Sequence, residues 1–147
     1  MSKVVIIYAS IHHRNTEKVV NYIAPIIGAE VIDIIKNKEP DISVYDTVII
    51  ASGIYFNTIH KSLINYINKV SFKDKRVILF YTCGMRYRDH GKAGRKLLVE
   101  READYMGDVY CRGYDTFGIL SKIGGIAKGH PSDGDRQRVL NKIQRLL

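Results

Sequence analysis

Three runs of apolar, largely β-branched residues restrict the fold more than any other feature of this chain. They are Val4-Val5-Ile6-Ile7-Tyr8, Thr47-Val48-Ile49-Ile50-Ala51 and Val77-Ile78-Leu79-Phe80. Each is apolar at successive positions rather than at alternate ones. A strand built this way buries both faces, as central strands of a parallel sheet do. Between the runs the apolar spacing changes to three and four residues. Val19, Val20, Ile23 and Ile27 form one such stripe, and Leu63, Tyr66, Ile67 and Val70 another. Leu97 and Leu98 lie inward on a helix expected over Ala93–Asp104, and Val139, Leu140, Ile143 and Leu147 mark a last helix. Weaker strands are expected around Glu30–Ile35 and over Asp108–Arg112. The order reads as β-α repeated five times, which implies a parallel sheet covered on both faces through right-handed crossovers.

Punctuation agrees with this order. Asn15 or Thr16 is the expected cap of the first helix, Pro25 should kink or end it early, and Gly28 is a natural stop. Lys36–Asp41, with Pro40, reads as a polar turn. Ser132 followed by Asp135 reads as a capping box. The 147 residues contain no internal repeat or low-complexity tract and suit a single domain, 1–147.

Composition narrows the function classes. A hydrophobic fraction of 46% with 26% charged residues describes an ordinary globule. No apolar run is long enough to cross a bilayer, and Met1-Ser2-Lys3 leads directly into a strand, unlike a signal peptide. Cys83 and Cys111 read as free thiols in a reducing cytoplasm. The net charge is +8, and residues 75–147 hold 15 of the 23 Lys and Arg. That excess is either a solvated surface or an attraction to an acidic partner, nucleic acid or anionic ligand. The chain has no stacking-aromatic ribonucleoprotein motif, zinc-finger spacing or helix-turn-helix pattern, so nucleic acid is a minor option.

Parallel sheets bind ligands beyond the carboxyl ends of their strands. Four such ends carry unusual residues: Ser10–Thr16, Ser52–Asn57, Thr82–Gly84 and Gly113–Gly118. The first, Ser10-Ile11-His12-His13-Arg14-Asn15-Thr16, links a strand to a helix N-terminus and is rich in donors, which suits a phosphate. It lacks both GxxxxGK[ST] and GxGxxG spacing, which points to a monophosphate. The second places Tyr55 and Phe56 beside Gly53, as a flat ring requires, and the third adds Thr82, Gly84 and Tyr87. A flat aromatic ring carrying one phosphate is a description of FMN.

At this point the sequence resembles a known family. The Ser10–Glu17 stretch looks like the phosphate loop of flavodoxins, and the resemblance runs through Gly53-Ile54-Tyr55 and Thr82-Cys83-Gly84. Arg112-Gly113-Tyr114-Asp115-Thr116-Phe117-Gly118 and Lys128-Gly129-His130-Pro131 look like a subgroup of flavodoxin-like proteins from anaerobes. The resemblance implies a doubly wound, three-layer α/β/α fold with a five-stranded parallel sheet of order 2-1-3-4-5. Ser10, Asn15 and Thr16, with backbone amides of Ile11, His12, His13 and Arg14, would hold the FMN phosphate. Ser52, Gly53, Ile54, Tyr55 and Phe56 would cover one ring face and its N5 edge. Thr82, Cys83, Gly84 and Tyr87 would meet the pyrimidine end. The implied function is electron transfer between redox partner proteins, acidic ones given the basic charge.

Several departures accompany the resemblance. His12-His13-Arg14 stands where the family has a Thr-Gly pair, making the loop one residue longer; Arg14 either contacts the phosphate or points to solvent. There is no Trp, so Tyr55 is the expected stacking ring. Adjacent histidines without a nearby carboxylate or thiol are poor zinc ligands. Cys83 reads as a small packing residue and Cys111 as core. Arg86–His90 is either a solvated face or a guide for an anionic partner, and Tyr114-Asp115-Thr116 also fits plain turn chemistry. Gly53 and Asn57 tolerate unusual backbone angles, so a peptide in that loop can turn toward N5. Residues 51–69 also resemble quinone-linked, flavodoxin-like protoporphyrinogen oxidases, although the chain lacks their extra segment before the fifth strand.

Overall fold

Strand β1 (Val4–Ala9) is buried along its whole length and lies between two parallel neighbours, β2 (Ala29–Asp33) and β3 (Thr47–Tyr55). The structure is a computed structural model that describes residues 2–86, 88–114 and 125–147. Beyond β3 the sheet continues through β5 (Arg76–Cys83) to β6 (Asp104–Arg112), all parallel, in the order β2-β1-β3-β5-β6. A two-residue strand, β4 (Thr58–Ile59), folds back on β3 as an antiparallel hairpin, which the apolar pattern does not announce. The five parallel strands take the expected flavodoxin-like order.

Four helices cover the sheet among the described residues: α1 (Asn15–Ile27), α2 (Lys61–Lys69), α3 (Lys92–Glu100) and α4 (Asp133–Leu146). The side-chain period of a strand divides the central residues between two cores. Val4, Ile6 and Tyr8 face Val19, Val20 and Ile23 of α1 and Val139, Leu140 and Ile143 of α4. Val5, Ile7 and Ala9 face Leu63, Tyr66 and Ile67 of α2 and Leu98 of α3. Burying an isoleucine on this scale contributes about 2–3 kcal/mol. These stripes are why the sheet is covered on both sides.

The fivefold β-α alternation is broken once, after β2, where the polar turn expected at Lys36–Asp41 forms and no helix follows. Residues 34–46 cross from β2 to β3 as turns. Asp33 and Asp41 accept local N–H bonds from Ile35 and Ser43 (2.9 Å each), and the Lys75 ammonium donates to the carbonyls of Ile42, Ser43 and Tyr45 at 2.6–3.2 Å. These contacts take the place of helical hydrogen bonds.

Three local expectations also change. Pro25 does not end α1 early: it is exposed and near the helix end, so only one late bond is forgone. Gly28 then stops the helix in the left-handed conformation, as expected, its N–H on the Ala24 carbonyl. Helix α3 ends at Glu100 because Glu102 is left-handed (φ +68°), and β6 begins at Asp104 rather than Asp108. An extra residue on β6 opposite Val77/Ile78, beside Gly107, makes a bulge that breaks the alternation. The capping box forms as expected, with Ser132 Oγ accepting from Asp135 N at 3.2 Å.

Candidate functional site

The carboxyl ends of β1, β3, β5 and β6 open onto one cleft of about 480 Å³. The first strand end contributes Ser10, Asn15 and Thr16; the second Gly53, Ile54, Tyr55, Phe56 and Asn57. Thr82, Cys83, Gly84 and Met85 come from the third, and Gly113 and Tyr114 from the fourth. His90 and Ile126 complete the wall. Ten of the sixteen residues assigned to FMN from sequence therefore share one cavity. Ile11, His13, Arg14 and Ser52 stand beside it. Tyr87, the Asp115–Gly118 part of the fourth motif and the side chain of His12 lie outside the described residues.

The β1 loop is tied to its neighbours. Asn15 and Thr16 do not cap α1 with their side chains, contrary to expectation, because both are turned to other strand ends. Asn15 Nδ2 donates to the Tyr114 carbonyl at 2.8 Å, and Thr16 Oγ1 lies 2.9 Å from Thr82 Oγ1 in a buried hydroxyl pair. The cap comes instead from Ser10, whose Oγ accepts from Glu17 N at 3.1 Å. His13 and Tyr114 bring their rings to 4.5 Å. His13 and Arg14 are both left-handed (φ +60° and +53°), which winds the loop into α1, with Arg14 N donating to the Ile11 carbonyl at 2.9 Å. Arg14 resolves toward solvent: its side chain is 79% exposed and Nε is 3.7 Å from Glu17 Oε2.

The wall from β3 is a hairpin tip. Phe56 and Asn57 have φ of +52° and +67°, the two left-handed positions of a type I′ turn between Tyr55 and Thr58. Ser52 is buried behind it and anchors the hairpin: its Oγ donates to the Gly53 carbonyl (2.6 Å) and accepts from His60 N (2.9 Å). Gly53 is required by close approach, since an added Cβ would meet the Tyr55 hydroxyl at 2.8 Å. That hydroxyl accepts from Ile11 N at 2.9 Å, so Tyr55 lies across the cleft onto the β1 loop. The Tyr55 ring sits edge-on to His60, centroids 5.1 Å apart.

Burial dominates the electrostatics. It pushes the Tyr55 phenol above its ordinary range, against the Ile11 hydrogen bond. Burial also lowers the His60 imidazole, with Lys61 adding to the effect, so the ring is neutral at pH 7. Its Nδ1 accepts from Ser62 N at 3.0 Å, which assigns the proton to Nε2 and makes His60 the cap of α2. Cys83 and Cys111 are buried thiols, neither in a disulfide. Burial first, then the charge of Asp135, raises the Cys111 thiol to about 12, consistent with a packing role. Among the described residues no cluster of His, Cys, Asp or Glu could hold a metal, and no helix is long and apolar enough to cross a membrane.

The cleft suits a small, partly flat, anionic ligand. Its volume lies in the range of small-molecule sites. Asn15 Oδ1 is buried without a hydrogen-bond partner among the described residues, an acceptor awaiting a donor such as a ligand hydroxyl. Sequence reasoning missed Met85, His90 and Ile126 as wall residues. The Gly124-Gly125 pair before Ile126 was the available signal; Met85 and His90 carry none.

Comparison with known proteins agrees with this geometry. A flavodoxin domain profile matches residues 5–117. An uncharacterized protein of Methanocaldococcus jannaschii is 36% identical over 147 residues, covering 99% of this chain and 98% of that one. Oxidised flavodoxin 1 from Bacillus cereus superposes with a TM-score of 0.74 at 22% identity, covering 99% of this chain and 97% of its own. General stress protein 14 from Treponema denticola, a structure in complex with FMN, superposes with a TM-score of 0.64 at 14% identity, covering 98% and 95%. Profile, relative and fold together make this chain a member of the flavodoxin domain family.

Proposed function

We propose that the cleft binds FMN and that the protein carries electrons between redox partners. The observation carrying this reading is the meeting of four strand ends in one cleft, with Asn15 and Thr16 tying the β1 loop to the ends of β6 and β5. Ser10, Asn15, Thr16 and the amides of residues 11–16 would hold the phosphate at the N-terminus of α1, where the helix dipole favours an anion. Asn15 Oδ1 suits a ribityl hydroxyl, a buried acceptor matched to a donor. Residues 52–56 would lie along the ring face and N5 edge, and residues 82–84, with Tyr87, at the pyrimidine end.

FMN, once bound, supplies one- and two-electron chemistry. The chain's part is to position the ring, exclude water and present hydrogen bonds. The hairpin turn at Phe56-Asn57 is where a peptide can reorient, because Asn57 tolerates either backbone hand. Gly53, with ordinary φ, contributes space instead.

The test is the visible spectrum of purified protein and the mass of the chromophore it releases. A yellow protein releasing FMN at one per chain is expected. Potentiometry should then give two separated midpoint potentials, with no oxidation of a porphyrinogen by quinone. Rapid porphyrinogen turnover would select the enzyme reading instead. A colourless protein that ignores added FMN would refute both.

A further inference from the structure

The charge of this chain is lopsided. Residues 1–74 carry 8 basic and 7 acidic side chains, whereas residues 75–147 carry 15 basic and 8 acidic. Nearly all of the +8 therefore belongs to the half that forms β5, β6, α3 and α4. Part of that excess gathers along the β6 edge of the sheet, around a single tyrosine.

Tyr110, on the outermost strand β6, is 39% exposed and stacks on buried Tyr81, centroids 5.6 Å apart and planes within 14°. The Arg86 guanidinium carbon lies 4.6 Å from the Tyr110 centroid and the Lys142 ammonium 5.9 Å, both within cation–π range. Arg86 Nε also donates to the Tyr81 hydroxyl at 3.0 Å, which fixes the guanidinium in place. Arg112 donates through Nε and Nη2 to the Gly84 carbonyl at 3.1 Å. Gly84 and Met85 line the cleft, so Arg112, bonded to Gly84, and Arg86, next to Met85, stand at its mouth, with Lys142 farther along the β6 edge at Tyr110. Arg86, Arg112 and Lys142 are exposed, and none has a carboxylate within salt-bridge distance among the described residues. Three other cations of this half are held in carboxylate pairs, Arg95 with Asp89 and Asp108, Arg136 with Asp133, Arg138 with Asp135.

These three cations, without a carboxylate partner among the described residues and each in contact with an aromatic ring or a carbonyl, form a preorganised positive surface with an aromatic centre. Such surfaces lose little side-chain freedom when an anionic partner arrives, and Tyr and Arg anchor interfaces well. We infer that this β6 edge is the docking surface for a small acidic protein, placed so that its partner covers the cleft mouth. The inference deepens the proposed carrier function and rests on it for the partner's redox nature. The docking itself depends only on the charged surface.

Binding is measured by titration calorimetry with an acidic ferredoxin as probe, a basic cytochrome c of similar size as control, and a mixed-sequence oligonucleotide as competitor. The ferredoxin should bind, the cytochrome should not, and affinity should fall steeply between 20 and 200 mM salt as screening shortens to about 10 Å or less. Lys142→Glu should weaken binding about fivefold, and Lys142→Glu with Arg86→Glu more than tenfold, with a flatter salt dependence. Flavin content and thermal midpoint of Lys142→Glu should match the parent. If Arg86→Glu disturbs folding through Tyr81, the Lys142 variant alone decides. Unchanged affinity in Lys142→Glu, equal binding of the cytochrome, or tighter binding of the oligonucleotide overturns the proposal. Failure of the carrier reading shows separately, as absence of a flavin in the same preparation.

Discussion

Two walls of the cleft are built on opposite plans. The β1 loop is bound to distant parts of the chain: Asn15 to Tyr114, Thr16 to Thr82, Ile11 to Tyr55. The β3–β4 hairpin is organised mainly by near neighbours, with Ile54 paired to Ile59, Tyr55 to Thr58, and Ser52 to His60, and it touches the β1 loop through the Tyr55 hydroxyl. Its tip residue Phe56 is 84% exposed. A loop that presents backbone amides to an anion gains by being fixed beforehand, since every amide left to be ordered by the ligand costs affinity. A turn that adjusts to its ligand gains by being detachable from the core. The fixed wall should therefore respond to substitution through affinity and stability together, and the hairpin mainly through its own local geometry.

The strongest way to break this contrast is Gly113→Ala. Its Cβ would fall 2.5 Å from Asn15 Nδ2 and 2.8 Å from Asn15 Cγ, so the amide must leave its place. A strain of about 1–3 kcal/mol is expected, with FMN affinity reduced more than tenfold. Fluorescence titration and a thermal melt on one preparation check both, and affinity within twofold of the parent means that Asn15 holds nothing.

Next in size is the buried hydroxyl pair. Thr16→Val strands the Thr82 hydroxyl in a dry environment and should cost about 1–2 kcal/mol in urea unfolding. Thr82→Val added to it should recover part of that loss, because two apolar groups of the same shape leave no polar atom unsatisfied. An additive double variant would show that the two hydroxyls are independent.

How much of this was legible in the sequence follows from what each signal measures. The central strands declared themselves because burial on both faces leaves no room for polar residues, as in Ile6, Ile49 and Ile78. The four strand ends were visible because their residues are poor core and poor strand. Long-range ties were not visible. Asn15 and Thr16 carry the composition of helix caps, and only tertiary structure reveals that their side chains face Tyr114 and Thr82. The polar turn at Lys36–Asp41 was legible, but the Lys75 bonds that fix it were not, and the start of β6 has no local signature because the Met106–Gly107 bulge acts through a partner strand distant in sequence. Tyr55 was expected as a stacking ring, and the further bond of its hydroxyl to Ile11 has no local signature.

That bond gives a prediction of smaller size and opposite signs. Tyr55→Phe keeps the ring but releases the Ile11 amide. The flavin-free protein should lose about 0.5–1 kcal/mol, while FMN affinity rises roughly two- to tenfold, because the phosphate no longer has to displace a phenol. Equal affinity in the two proteins would show that Ile11 N lies outside the phosphate site.

The smallest effect belongs to the hairpin and tests whether it is independent of the fixed wall. Asn57 is left-handed at φ +67°, a conformation that glycine adopts without strain and β-branched residues resist. Asn57→Gly should therefore stabilise the flavin-free protein by about 0.5 kcal/mol, or leave it level if the gain is offset by the added freedom of the unfolded chain. Asn57→Val should cost about 1 kcal/mol, which at this chain length lowers the thermal midpoint by roughly 2–4 °C. Combined with Gly113→Ala, either change should add, because the turn and the Asn15 clasp are built on different strand ends, β3 and β6. A large coupling between positions 57 and 113 would mean that the hairpin tip and the β1 loop move as one unit, and the division between a fixed wall and a detachable one would have to be given up.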